Sequence, residues 1–509
     1  MISGQFLAPD RVEHITDSGV PDRRQRAHVR EDHPAPRRAR RVDRYRRQRL
    51  FVVGGFLLAQ VVIILFVNTR GATLDEGIYI TAGLRTLDGF GLSDDYMSWF
   101  AGSLLWSALA GVAHHALGLM GVRLLAAILV TTGLALVGKA ADNLYGARAG
   151  VWATAIGAAS GAVLTLGHVG VYDAVAFVGL AAMMCALSEF FVRDRRAWIV
   201  IAAAAFVVAV LGKYPAVAAV SVVVSLIFIR RGRRGRIDVG MFIFVTGAAL
   251  VVFYQMFEQQ MLGLIEFRSE FEIPAFGFTR EMIAVTLAYH VVPVALVTVV
   301  GVARSGRGSR ATSLVLATSL ALPIVYHLST GSGVGQVKHL GLALTMALPV
   351  AGLGFAEIHR KMSAFVAVPA LVALLALGLA QMRQEHNASP DPGPVANYLA
   401  QEAESADRLL IDTSWPYTLA LMESGRIESP WSIYDTFRVE NETLPVGICE
   451  FDWFVATPNG WPEDVTEAVH ACGSFELVFS DTHELHGFTE EYHWITYPAT
   501  SEVWERVSP

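Results

Sequence analysis

Between residues 50 and 381 the chain alternates long apolar runs with short polar breaks. Runs at 50–68, 121–141, 149–168, 174–192, 198–212, 215–230, 238–257, 281–303, 311–328, 340–358 and 363–381 approach the roughly 20 residues that cross a bilayer as a helix. About eleven spans would put the two chain ends on opposite sides of the membrane. The polar breaks test that threading, because Lys and Arg collect on the cytoplasmic side. With the N-terminus inside, the inner breaks carry Lys139 and Arg148, then Arg193, Arg195 and Arg196. A dense cluster from Arg230 to Arg236 follows, then Arg304, Arg307 and Arg310, and finally Arg360 and Lys361. The outer breaks hold scattered basic residues: Arg70, Arg85, Arg268, Arg280 and Lys338. The apolar segment 99–120 does not fit as a span, since it would move every later arginine cluster outside. Residues 75–120 are therefore expected as a long outer loop of amphipathic helices lying on the membrane, with Trp99 and Trp106 at the interface.

Composition sharpens this picture. Hydrophobic residues make up 53% of the chain and charged residues only 17%, against about 25% charged in soluble domains. The expectation is an α-helical, polytopic membrane protein. The net charge of -6 hides a segregation of charge along the chain. Residues 1–48 are Arg-rich without apolar periodicity and read as a disordered cytoplasmic tail. Directly before a span, such a tail anchors by the positive-inside rule; no nucleic-acid partner is expected. It also lacks signal-peptide order. After residue 384 a Pro- and Gly-rich cluster at 387–394 marks a linker. Short strands at 408–411 and 451–456 then alternate with helical stretches at 395–405 and 462–472. Residues 384–509 are thus expected as a small extracytoplasmic α/β domain behind a membrane domain at 49–383. If it lies outside, Cys449 and Cys472 could pair, while Cys185 reads as a packing residue.

On this threading several ionisable residues gather at the outer face. Asp75 and Glu76 follow the first span; His168, Tyr172 and Asp173 sit between the third and fourth. Lys213 and Tyr214 form a tight turn, Lys338 and His339 open a late span, and Arg123 opens the second. Taken singly, each reads as readily as a snorkelling side chain or a helix cap. Together they offer carboxylates for proton abstraction and cations for a phosphate in one membrane-surface layer. That set suits a sugar donor whose lipid stays in the bilayer and whose phosphate sits at the interface. Lys213, Lys338 and Arg123 would hold the phosphate through charge-assisted hydrogen bonds and stabilise its charge as it leaves. Asp75, with Glu76 beside it, would take the proton from an acceptor hydroxyl. Attack opposite the phosphate inverts the anomeric centre. Asp173 would orient the acceptor or share a divalent cation with Asp75; the residues leave both open. Tyr79, Tyr172, Tyr214 and His339 are candidate substrate contacts.

Leu74-Asp75-Glu76-Gly77-Ile78-Tyr79 after the first span resembles the first-loop motif of the GT-C glycosyltransferases. The similarity is to the family of protein O-mannosyltransferases and bacterial aminoarabinose transferases. Tyr172-Asp173, Gly212-Lys213-Tyr214-Pro215, Lys338-His339 and Gly121-Val122-Arg123-Leu124 are similar too, as is the segment Asn143 to Arg148. The resemblance covers roughly residues 50–360. It implies inverting transfer from a polyprenyl-phosphate sugar on the outer side of a plasma membrane, to a glycan, lipid or protein acceptor. It further implies that Asp75 matches the first-loop catalytic carboxylate and Asp173 the second-loop acid. Two departures stand out. Where many relatives carry Lys-Pro-Pro or His-Pro-Pro, this chain has Ser93 to Phe100, with Asp94 and Asp95 in that place. The C-terminal region shows no repeated sugar-binding module.

Weaker signals add little. Asn387-Ala388-Ser389 and Asn441-Glu442-Thr443 match a glycosylation triplet that is common by chance. His114 and His115, being adjacent on a helix, point in different directions and make a poor metal pair. Loops 258–280 and 329–336 are placed to cover acceptor and donor. A transporter or flippase is the rival reading, but transporters carry repeats and midplane charges, whereas here the charges lie at one face. A receptor acting through its outer domain would leave that charged layer unexplained.

Overall fold

The computed structural model describes residues 35–87, 104–258, 261–262, 279–333, 335–362, 364–404, 406–412, 414–425, 433–435, 447–457, 463–488 and 494–507. Helix α1 (Ala35–Val62) runs into a π turn, Ile63–Val67, that ends at Asn68. Then come α2 (Leu74–Leu87) and α3 (Leu104–Tyr145). Helix α3 is interrupted at Leu117 and Gly118, where φ of 62° suits only a residue without Cβ. Helices α4 (Ala147–Ala159) and α5 (Gly161–His168) meet at a 68° bend. Helices α6 (Asp173–Arg193) and α7 (Ala197–Gly212) follow, and a 3-10 turn, Tyr214–Ala218, leads to α8 (Ala219–Arg231) and α9 (Gly235–Met256). Next are α10 (Arg280–Arg304), α11 (Arg310–Thr318), α12 (Ala321–Thr330), α13 (Gln336–Met362) and α14 (Ala364–His386).

The eleven apolar runs lie on these helices and the turns beside them, with 149–168 and 311–328 each divided between two helices. By length and composition alone, eight helical stretches among the described residues are long enough to cross a membrane, or nine if α4 and α5 form one broken span. The count is lower for two reasons. The stretch Tyr214–Met256 holds two apolar runs joined through Gly232–Arg234, and Ala197–Gly212 is short. Helix α13 is the hub, with 83% of its most apolar window buried, against 22% for the windows in the first and last stretches. Those outer helices keep Phe51, Phe66 and Phe365 on the surface, as a lipid-facing position allows.

The described parts of segment 75–120, expected as an outer loop of membrane-surface helices, are helical and packed. Nine residues of α2 are buried, including Ile78, Tyr79, Ile80 and Arg85. Trp106, placed at the interface by the sequence, is 0% exposed. The reason is a glycine contact. A Cβ on Gly83 would lie 2.0 Å from the Ser107 carbonyl oxygen, and one on Gly111 would lie 2.6 Å from the Gly83 carbonyl carbon. Backbone approach this close draws the first part of α3 onto α2 and buries the indole. Trp99, Asp94, Asp95 and most of loop 258–280 lie outside the described residues.

The C-terminal stretch carries α15 (Gly393–Glu402), β1 (Leu409–Ile411), α16 (Ser414–Glu423), β2 (Ile433–Asp435), β3 (Trp453–Ala456), α17 (Glu463–Ala471), β4 (Phe475–Phe488) and β5 (Trp494–Arg506). The sheet order is β2-β1-β3-β5-β4, parallel from β2 to β3 and antiparallel beyond. Val395, Leu399, Ile411, Tyr417 and Val455 form part of its core. A disulfide joins Cys449 to Cys472. From Tyr45 to Pro509 the helices and the sheet belong to one unit.

Candidate active site

The site begins at the N-terminus of α2. Thr73 Oγ1 accepts from the Glu76 N–H at 3.4 Å, and Glu76 Oε2 accepts from the Thr73 N–H at 3.0 Å. This reciprocal capping box fixes the first helical turn. Successive helical residues diverge by about 100°, so the adjacent acids Asp75 and Glu76 face different surroundings.

Glu76 faces inward and is 0% exposed. Arg123 Nε and Nη2 donate to its two oxygens at 2.9 Å each, and the Gly170 N–H donates at 2.7 Å. Burial pushes the Glu76 carboxyl up, but the Arg123 charge and the hydrogen bonds from Arg123, Thr73 and Gly170 outweigh it and hold the group at about 2. Arg123 also donates to the carbonyls of Asn68, Arg70 and Gly71 at 3.0, 3.1 and 2.9 Å. A guanidinium has five N–H donors, and all five are engaged within the protein. The sequence-level role of Arg123 as a phosphate ligand is therefore corrected: no donor remains. Glu76, expected beside Asp75 in catalysis, is likewise shut inside this clamp.

Asp75 faces the other way. It is one-third exposed and pairs with Lys338 from the first turn of α13. Lys338 also interacts electrostatically with Asp173 and Tyr172, which ties the first-loop and second-loop acids together. Asp173 opens α6 and is fully buried. Its Oδ1 accepts from Lys213 Nζ at 2.6 Å, while Oδ2 has no partner. Lys213 reaches it because α7 stops at Gly212, whose missing Cβ lets the chain pack on Val175 and Ala176. The Lys213 ammonium also lies 4.8 Å from the Tyr172 ring centre, and the Tyr172 and Tyr79 rings meet edge-on at 4.6 Å. Burial, reinforced by the Asp75 and Tyr172 charges, pushes the Tyr79 hydroxyl well above its ordinary range. Tyr79 is a neutral hydrogen-bonding group.

Tyr214 donates to Met261 Sδ at 2.9 Å. His339 stacks on His327, with Nδ1 of the first 2.9 Å from Nε2 of the second, and Tyr326 packs edge-on against both rings. His327 was not singled out in the sequence because it lies inside an apolar run. Glu385, half-buried at the end of α14, interacts with Lys338 and was also passed over. In both cases the available signal was an ionisable residue within a membrane-length segment, which is costly unless it is used.

Asp75 and Asp173 were left open as divalent-cation ligands. As they stand they do not fit one, because each is engaged by a lysine ammonium. Among the described residues no group of three or more His, Cys, Asp or Glu could hold a metal. What the arrangement does offer is two carboxylates and two ammonium groups in one layer. Beside it, an apolar cavity of about 490 Å³ runs between α8 and α11–α12, lined by Val222, Val315, Ala321, Leu322, Val325 and Tyr326. Tyr326 joins that cavity to the histidine pair.

No family model matches the sequence, and no curated protein does. Solved structures do match. ArnT from Cupriavidus metallidurans, bound to undecaprenyl phosphate, aligns over 88% of this chain and 97% of its own at a TM-score of 0.51 and 16% identity. AglB, the oligosaccharyltransferase of Archaeoglobus fulgidus, was solved with an inhibitory peptide and a dolichol-phosphate. It covers 88% of this chain and 74% of its own at 0.50 and 11%. The arabinofuranosyltransferase AftD from mycobacteria covers 90% of this chain but 41% of its own, at 0.50 and 14%. The fold is that of the GT-C glycosyltransferases. In this fold α2 carries both neighbouring acids. The chain also keeps a sheet-bearing C-terminal region packed on that helix: a Cβ on Gly77 would lie 2.7 Å from the Trp415 carbonyl.

Proposed function

We propose that this protein is a membrane glycosyltransferase that moves a sugar, with inversion, from a polyprenyl-phosphate donor to an acceptor hydroxyl on the outer side of the membrane. The observation that carries the reading is the paired layer Asp75–Lys338 and Asp173–Lys213 beside an apolar cavity. The donor's polyprenyl chain would enter between α8 and α12, with its phosphate meeting Lys213, Lys338 and the His327–His339 pair. An anionic phosphate competes with the carboxylates for the two ammonium groups. Binding it would draw Lys338 from Asp75 and free that carboxylate as the base. The acceptor O–H then adds through oxygen to the anomeric carbon, and its proton passes to Asp75. The bond between the anomeric carbon and the phosphate oxygen breaks, and its electron pair leaves with the phosphate, stabilised by the lysines. Asp173 would hold Lys213 in place and orient the acceptor. Tyr79, Tyr172, Tyr214 and His339 are offered as substrate contacts.

The 68° break between α4 and α5 is the one feature that favours a transporter, since discontinuous helices line transporter sites. Here the break is plugged by protein: a Cβ on Gly161 would lie 2.3 Å from Gln381 Oε1, and one on Gly378 2.1 Å from the Ala159 carbonyl oxygen. The test is sugar release from radiolabelled polyprenyl-phosphate hexoses and pentoses by purified protein with membrane extract as acceptor. Turnover by wild type and its loss in Asp75→Asn, with donor binding retained, supports the reading. Folded protein that turns over no donor, yet moves a lipid-linked solute across vesicles, defeats it.

A further inference from the structure

A second cavity, of about 470 Å³, lies between the end of α1, the end of α5 and the last turns of α14. It shares no lining residue with the Asp75–Lys338 and Asp173–Lys213 layer or with the apolar cavity beside it. We infer that it binds the phosphomonoester head group of a lipid.

The cavity has two chemically distinct parts. Ile63, Val67, Leu379 and Met382 make one part apolar. Phe66 and Val67 beside it are 74% and 53% exposed, so an acyl or prenyl chain leaving the cavity would run along apolar surface. Arg70, Arg383, His168 and His386 make the other part basic, and among the described residues no acidic one lines it. Arg70 spends one contact on the Ser389 carbonyl at 3.4 Å, and neither arginine has an ion-pair partner among the described residues. Unpaired guanidinium groups are well matched to phosphate oxygens. The acid that acts electrostatically on both histidines is Glu76, which Arg123 already neutralises.

The histidines narrow the ligand further. His168 is 1% exposed and its Nδ1 lies 2.9 Å from the Leu164 carbonyl, so Nδ1 carries the hydrogen. Among the described residues its Nε2 has no partner, nor has Nδ1 of His386, whose ring lies 5.9 Å away, edge-on. A buried polar atom without a partner is costly, and here two of them border one basic cavity. A phosphomonoester answers both. Its acidic O–H donates to His168 Nε2, and its charged oxygens accept from the guanidinium groups and from His386 in the tautomer that carries the hydrogen on Nδ1. A cation would meet two arginines instead. Free phosphate presents the same chemistry, and the probes below separate the two sources.

The test uses purified full-length protein in nanodiscs and needs no turnover, so it stands or falls apart from the proposed transfer reaction. The probe is a phosphatidic acid with a photoreactive group on its acyl chain, and cross-links are mapped by mass spectrometry. Cross-links to residues 62–68 and 375–387, competed at least tenfold better by dioctanoyl phosphatidic acid than by dioctanoylglycerol, are expected. Arg383→Gln, a change at an exposed residue, should reduce them several-fold, and Arg70→Gln with Arg383→Gln about tenfold. Asp75→Asn should leave them unchanged. Cross-links confined to α8, α11 and α12, or undiminished in folded Arg383→Gln protein, overturn the site. Competition by inorganic phosphate as strong as by the lipid overturns the lipid assignment.

Discussion

Asp75 and Glu76 are consecutive carboxylates, and the fold gives them opposite surroundings. Glu76 accepts four hydrogen bonds, two of them from an arginine whose remaining donors are all spent on backbone carbonyls. Asp75 keeps a single lysine and partial access to solvent. A guanidinium with five fixed donors makes a closed structure, whereas an ammonium on a flexible stem can change partners. The comparison teaches that charge alone does not single out the acid proposed as the base; a partner that can be exchanged is what sets Asp75 apart from Glu76.

Several measurements would break or sharpen that comparison. The largest effect is expected from Asp75→Asn, which should lower turnover by about 10²–10⁴-fold, the usual worth of a general base, with thermal stability unchanged. Equal turnover in the variant would remove Asp75 from the chemistry. Glu76→Gln should act the other way round, on stability. Leaving Arg123 buried without its anion costs about 3–5 kcal/mol, read as a lower melting temperature and poor recovery. A Glu76→Gln protein that is stable but inactive would reverse the two roles.

The same clamp predicts a pH dependence. Because Glu76 is held at about 2 in the folded protein, below its unfolded value of about 4.3, its contribution is complete above that unfolded value. It is lost as pH falls toward 2. The melting-temperature gap between wild type and Glu76→Gln should therefore narrow in acid; a gap that widens contradicts the assignment. Gly77→Ala should cost about 1–3 kcal/mol by overpacking and lower activity by shifting α2. Its Cβ would meet Trp415 and Pro416 backbone atoms at 2.7–2.8 Å. The smallest effect should come from His114→Gln, which breaks a partly exposed pair with Glu423 at 2.9 Å and is worth under about 1 kcal/mol in a melting experiment.

Much of the helical layout was legible because membrane-length apolar runs and arginine-bearing breaks are strong periodic signals. The short strands and helices around Leu409, Trp453 and Gly393 were also visible. The long β4–β5 hairpin was not read, because its Thr, His and Glu positions blur the alternation. Asp75, Asp173, Lys213 and Lys338 were singled out from their position at helix ends, and the structure places them in two ion pairs. Arg123 was misread because composition cannot tell an arginine facing a substrate from one facing backbone carbonyls. Trp106 was misread for a related reason: the contact that buries it is between glycines, which leave no hydrophobic trace. His327 and Glu385 reach the site only through tertiary packing across α12, α13 and α14.

The contacts that steady α2 carry a consequence for how the protein is made. The Gly71 N–H donates to Asp391 Oδ1, Arg70 reaches the Ser389 carbonyl, and Gly77 rests on Trp415. These partners are more than three hundred residues downstream, so a ribosome finishes α2 long before it makes them. A nascent chain stalled ahead of residue 389 would hold α2 through Arg123 and α3 but without these later contacts. Under the proposed function, transfer would wait until residues 389–415, which these contacts reach, have been made.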